Sequence, residues 1–449
     1  MRMKASKVIW GTFVIVAVIL LGWAFRPASA GYAGTAPYVI ICNTSAVPVD
    51  IDKQIFRAGG AVTSKLHQIG VVVATSDNPD FAKKASKIKG VMTAVQDEWV
   101  QWVNPQVCEE EGSVRSLSIG SDETFWPYQW APRAIYAPDA WDAGARGAGV
   151  RVAILDGGIA SNHLDLDANI DFGASTSFVP GFNFNEEAAG AFWHGSHVAG
   201  IVAAEDNERG TIGIAPAATI IGVKVLHDGG GYFSWLIQGI LYAADVADAD
   251  LINMSLGALY ARNSRGAAQL NSALGRAMNY AYQAGVTIVA SAGNDYLDLD
   301  HAGPWVSMPA EAQHVICVSA TGPIGFAYGG TDFDRPASYT NYGHSLVDFA
   351  APGGDFMLYP NGYWYYDMVM APTYVLGTSH YYSWAAGTSQ AAPHVTGVAA
   401  LIIEAHGGSM HPAQIKAILQ QSADDLGKPG NDEYYGMGRI NAFKAVTIK

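Results

Sequence analysis

From Val150 to the C-terminus the chain alternates short apolar runs with longer helical periods, and that alternation leaves few folds open. Val150–Leu155, Ile220–Leu226, Asp250–Met254, Val286–Ala290 and His314–Val318 read as strands. They are near-continuous apolar runs, the pattern of strands covered on both faces. Ser234–Ala247, Leu270–Ala284, Ala391–His406 and Pro412–Gln420 read as helices. Gly285 and Gly407-Gly408 end two of them, and Pro412 opens the last. The expected class is α/β: a three-layer fold with a mostly parallel central sheet flanked by helices. In such sheets chemistry gathers at the carboxyl ends of the strands.

The remainder of the chain divides by charge and pattern. Arg2, Lys4 and Lys7 precede an uncharged run of 18 residues, Val8–Phe25, and Ala28-Ser29-Ala30 follows. Residues 1–30 therefore read as a removed export signal, giving a secreted or periplasmic protein. Contact with the membrane is expected only if that segment is retained. Residues 31–119 read as a small α/β unit with a cleavable link. Tyr38–Ile41 and Val71–Thr75 are strand candidates, and Gly60–Gln68 and Phe81–Ile88 helix candidates. The acidic run Glu109-Glu110-Glu111 reads as solvated linker. Residues 120–449 are the main domain. With 26 basic against 40 acidic side chains, net −14, the chain is a poor match for a phosphate backbone. Three cysteines supply neither a disulfide framework nor a zinc knuckle, and any pairing of Cys42 with Cys108 is open.

Three segments carry chemistry. Val152-Ala153-Ile154-Leu155-Asp156-Gly157-Gly158 ends a strand on a carboxylate. His194-Gly195-Ser196-His197-Val198-Ala199-Gly200 and Gly387-Thr388-Ser389-Gln390-Ala391-Ala392-Pro393-His394-Val395 each open a helix. Amide hydrolysis by a hydroxyl needs an imidazole within reach and a buried carboxylate to fix the imidazole's tautomer. Singly, such residues are more often caps and turn formers.

Together, and in the order Asp, His, Ser, the three segments resemble the signature blocks of the subtilisin-like serine proteases, the subtilases. The resemblance implies that Asp156 orients, His194 is general base and acid, Ser389 is the nucleophile, and His197 is structural. Asn294, in Ala292-Gly293-Asn294, matches the oxyanion amide. Ser255-Leu256-Gly257 and Gly230 match the two edges that pair with an extended substrate. Ala292 and Gly293 match the second wall of the specificity pocket, and an apolar preference is expected there. Residues 38–104 resemble the family's inhibitory propeptide, which would make the chain a self-processing precursor whose own small unit fills the cleft. The expected cut falls between about 105 and 125.

The resemblance also implies a structural calcium ion and no cofactor for the chemistry. Its ligands would be the side chains of Asp165 and Asn207 and the carbonyls of Glu205, Arg209 and Thr211. One more ligand nearer the N-terminus is implied without a position. Two departures stand out. Gly157 lies where the family usually has Thr or Ser. The stretch 355–384 is long and aromatic, either a flap packed on the body or a rim touching substrate. The expected function is an exported serine endopeptidase of broad specificity acting on peptides or unfolded proteins. The rival is a non-catalytic peptide-binding protein on the same fold.

Overall fold

The computed structural model describes residues 34–103, 108–111, 123–187 and 193–448. The export segment, and the parts of the expected cleavage region at 105–107 and 112–122, lie outside the described residues. Among the described residues no helix is long and apolar enough to cross a membrane.

The larger unit is built on a seven-stranded sheet. In spatial order its strands are Phe349–Pro352, Val315–Thr321, Thr287–Ser291, Leu251–Met254, Arg151–Asp156, Thr219–Lys224 and Thr176–Ser177. Every neighbouring pair is parallel. Side chains alternate between two cores, as the two-residue period of a strand requires. Val152 and Ile154 face one core, which holds the helices His194–Ala203 and Thr388–Ala405. Ala153 and Leu155 face the other, beside Phe233–Asp245 and Arg265–Gln283. Covering both faces explains why these strands read as unbroken apolar runs.

The small unit has four antiparallel strands in the order Ala61–Leu66, Val71–Ser76, Ala36–Cys42, Val91–Gln96. Helices Ile51–Ala58 and Phe81–Ala85 cover one face, around Ile40, Ile55, Val72 and Phe81. The opposite face, with Val39, Ile41, Val71 and Val73, joins the second core of the larger unit. Polar contacts add to it: Arg276 donates to the carbonyls of Cys42 and Ile69, and Gln269 to Thr93 Oγ1. Asp97 Oδ2 accepts the Ser234 N–H at 3.1 Å, at the start of the helix Phe233–Asp245.

Two expectations are corrected. Residues 60–68 are not a helix: Ala61–Leu66 is an outer strand whose side chains alternate in exposure and pair with Val71–Thr75. The polar side of that strand is solvated, which gave it the look of a helix face. The acidic run is not simply a solvated link either. Cys108–Glu111 forms an antiparallel ladder with Tyr382–Ala385. Cys42 and Cys317 are buried free thiols.

Candidate active site

Asp156 ends its strand in the middle of the sheet, at the carboxyl edge, and is 2% exposed. Its Oδ1 accepts the Gly157 N–H at 2.6 Å. His194, the first residue of its helix, holds Nδ1 2.8 Å from Asp156 Oδ2 and 3.0 Å from Oδ1. A carboxylate acceptor puts the proton on Nδ1, leaving Nε2 as the basic nitrogen of the neutral ring. The close approach depends on Gly195, because a Cβ there would strike the Gly158 carbonyl and the Asp156 side chain. His197, one turn on, does different work. Its Nε2 donates to the Ser383 carbonyl at 3.0 Å, and burial pushes it down to about 3, so it stays a neutral packing residue.

Ser389 lies in the first turn of the helix Thr388–Ala405, behind Gly387. Pro393 stands four residues on and has no N–H to give to the Ser389 carbonyl. Ser255 Oγ supplies the missing bond at 2.7 Å. In return the Ser389 hydroxyl donates to the Ser255 carbonyl at 3.1 Å. Asn253 donates to Ser255 Oγ, and Thr396 to Asn253, so the strand end and the helix start form one bonded block.

Asn294 Oδ1 accepts both the N–H and the hydroxyl of Thr388, each at 2.8 Å. A backbone N–H can only donate, so the oxygen must face Thr388 and the NH2 must face away from it. Asn294 and Ser389 both border a cavity of about 220 Å³. Gly257 and Gly293 line it too, whereas Leu256 and Ala292 turn into hydrophobic cores. Sequence reasoning missed Ser307 and Asp295 in the lining. Asp295 puts a carboxylate at a pocket expected to be apolar.

Residues 99–103 lie across this cavity. Trp99–Gln101 pairs antiparallel with Gly230–Tyr232, with Gly230 opposite Gln101. Trp102 and Val103 both donate to the Gly229 carbonyl, and Gly257 donates to Trp102 O at 2.8 Å. The Trp102 ring is buried against Phe233 and Tyr260, with its indole N–H on Gly231 O. The aromatic stretch is mostly body: Trp364, Tyr382 and Trp384 are buried in the first core.

A second polar cluster sits at the loop 205–211. Asp165 is fully buried, with Oδ2 accepting the Thr211 N–H at 2.9 Å. Asn207 donates to the Leu164 carbonyl, and Glu205 accepts from Ala168. Glu123, which sequence reasoning did not find, reaches in from the N-terminal side and accepts the N–H groups of Asn207 and Glu208. Three buried oxygens, Asp165 Oδ1, Asn207 Oδ1 and Glu123 Oε2, have no hydrogen-bond partner. Burial pushes the Asp165 carboxyl well above its ordinary range and raises Glu123 to about 7, with Asp206 adding to the latter. No three His, Cys, Asp or Glu side chains among the described residues are grouped as a metal site. A cation here would therefore draw on amide and carbonyl oxygen as well, a donor set that suits a hard ion.

The parallel sheet carries the Asp156–His194 pair at its carboxyl edge, an arrangement that supports serine-protease chemistry. The sequence model of the subtilase family matches residues 147–438, and the chain belongs to that family. It is 36% identical to thermitase of Thermoactinomyces vulgaris over 328 residues, 73% of this chain and 98% of that protein. It is 30% identical to subtilisin E of Bacillus subtilis over 449 residues, 98% of this chain and 99% of that one. The fold is shared with the epidermin leader peptide processing serine protease of Staphylococcus aureus, at a TM-score of 0.73 and 21% identity, covering 92% of this chain and all of that one.

Proposed function

We propose that this protease is an exported endopeptidase made as a precursor, with Ser389 as nucleophile and His194 as its base. The observation that carries the reading is the Asp156 carboxylate on His194 Nδ1, which fixes the tautomer that Ser389 needs. In the reaction the Ser389 hydroxyl leaves the Ser255 carbonyl, gives its proton to His194 Nε2 and attacks the scissile carbonyl. The tetrahedral oxyanion is met by the Asn294 amide and the Ser389 N–H. His194 then protonates the leaving amine, and water repeats the sequence on the acyl-enzyme. The edges at Gly230 and Gly257 hold the peptide by its backbone, which supports broad specificity. Casein digestion by the wild type and by Ser389→Ala tests this. Loss in the variant is expected, and equal digestion would leave only a peptide-binding role.

Residues 31–119 act as the propeptide, with 120–449 as the catalytic domain. The pairing of 99–103 with both substrate edges supports this, as does the ladder of Cys108–Glu111 on Tyr382–Ala385, just before Ser389. Mass spectrometry of the mature N-terminus is expected to find a cut between about 105 and 125, and Ser389→Ala is expected to stay uncut. Calcium is held by Asp165, Asn207 and Glu123 oxygens with loop carbonyls of Glu205, Arg209 and Thr211. Three unpartnered buried oxygens support it.

A further inference from the structure

The residue after Asp156 is glycine, yet the room for a side chain at that position is not empty. A Cβ on Gly157 would run into Glu187 Oε2. The backbone at Gly157 is outside the left-handed region, so the carboxylate excludes a side chain and the local conformation does not. Glu187 comes from the loop ahead of the His194 helix, and its side chain is only 3% exposed. A carboxylate rarely sits that deep without a partner. Its partner is Lys224, with a fully buried side chain and Nζ 3.6 Å from Glu187 Oε1.

Strand register brings Lys224 to this point. Thr219–Lys224 runs parallel to Arg151–Asp156, with Lys224 opposite Asp156. The ammonium donates to the Gly157 carbonyl and lies 5.8 Å over the Phe182 ring. The N–H of the same glycine donates to Asp156 Oδ1, which also faces His194. Gly157 is thus gripped at both ends, by the catalytic carboxylate on one side and by the Lys224–Glu187 pair on the other. Glu187 Oε1 also accepts the Asp228 N–H at 3.4 Å, in the turn that leads into the Gly230 edge. The charged or titratable neighbours of this pair are Asp156, His227, Asp228 and Glu186. Burial pulls the Lys224 ammonium below its ordinary range, opposed first by Glu187 and then by Asp156.

We propose that Glu187 is a positioning residue for the Asp156–His194 pair. With Lys224 it clamps Gly157 from the carbonyl side and so fixes the amide that steers the Asp156 carboxylate. Glu187 and a side chain at position 157 are alternatives for one space, and this chain uses the carboxylate. The proposal deepens the protease reading and rests on it.

The test uses the processed enzyme on a peptide-amide substrate. Hydrolysis that Ser389→Ala abolishes secures the protease reading separately. Glu187→Gln keeps the volume and an oxygen for Asp228 but removes the charge; kcat is expected to fall at least ten-fold with KM within two-fold. Gly157→Ser, which pushes the carboxylate off Lys224, and Glu187→Ala are each expected to lose at least ten-fold in kcat. The double variant Gly157→Ser/Glu187→Ala, which refills the space but leaves Lys224 without its carboxylate, is expected to stay at least ten-fold down in kcat. Glu187→Gln with wild-type kcat would reduce Glu187 to a space-filler and overturn the proposal. If thermal melts show that Glu187→Gln does not fold, the double variant decides: recovery to within three-fold of wild type would show that volume suffices and overturn the proposal, and a folded protein still at least ten-fold down in kcat with KM within two-fold upholds it.

Discussion

The block around Ser389 and the loop around Asp165 are both buried and polar, and they solve burial in opposite ways. At Ser389 the groups satisfy one another: Ser255 bonds to Ser389 in both directions, Asn253 and Thr396 back it, and Thr388 holds Asn294. At Asp165 three oxygens are left without a bond, and the carboxyls are driven toward their protonated forms. Geometry that must be ready before substrate arrives is made from internal bonds. On the proposed reading an ion from solution would satisfy the loop's three oxygens and tie Glu123 to the body.

The contrast can be broken at several points. The largest effect belongs to Ser389→Ala, expected to lower kcat on a peptide amide by roughly 10⁴-fold or more with the protein still folded. Next is Asn294→Ala, expected to cost about 10²- to 10³-fold in kcat with KM little changed, because the oxyanion forms only in the transition state. Calcium removal should spare chemistry and reduce stability. For an ion held at 100 times its dissociation constant, chelation costs about 2.7 kcal/mol. Calorimetry should read that as a melting temperature lower by roughly 3–4 °C, and Asp165→Asn should make the melt insensitive to calcium. The chelated protein should also respond to pH with a definite sign. Glu123 is raised to about 7 in the fold, so its contribution is whole below its unfolded value near 4.5 and is lost as pH rises through about 7. Melts in chelator should therefore fall across that window, and calcium should flatten the trend. The smallest effect is Ser255→Ala, which strands the Ser389 carbonyl and is expected to cost about 1–3 kcal/mol of stability in a denaturant titration.

What the sequence revealed was local. A strand ending on Asp156 and helices opening on His194 and Ser389 are short-range patterns, and their apolar neighbours announced the sheet. What it hid was joined across distance. Glu123 meets Asn207 from 84 residues away, with no motif to mark the meeting. Ala61–Leu66 is a strand only because Val71–Ser76 pairs with it, and its own solvated side argued for something else. Gly157 looked like a lost hydroxyl, and only the arrival of Glu187 from another loop shows the place to be taken.

The proline in the Ser389 helix has a consequence for how substrate and attacking group are aligned. Because Pro393 frees the Ser389 carbonyl for Ser255, the helix end takes its coordinates from the strand leading to Gly257, the edge on which the proposed function lays a peptide. A small drift of that strand carries cargo and hydroxyl the same way, so their relative approach is preserved through thermal motion that would misalign two independently mounted parts.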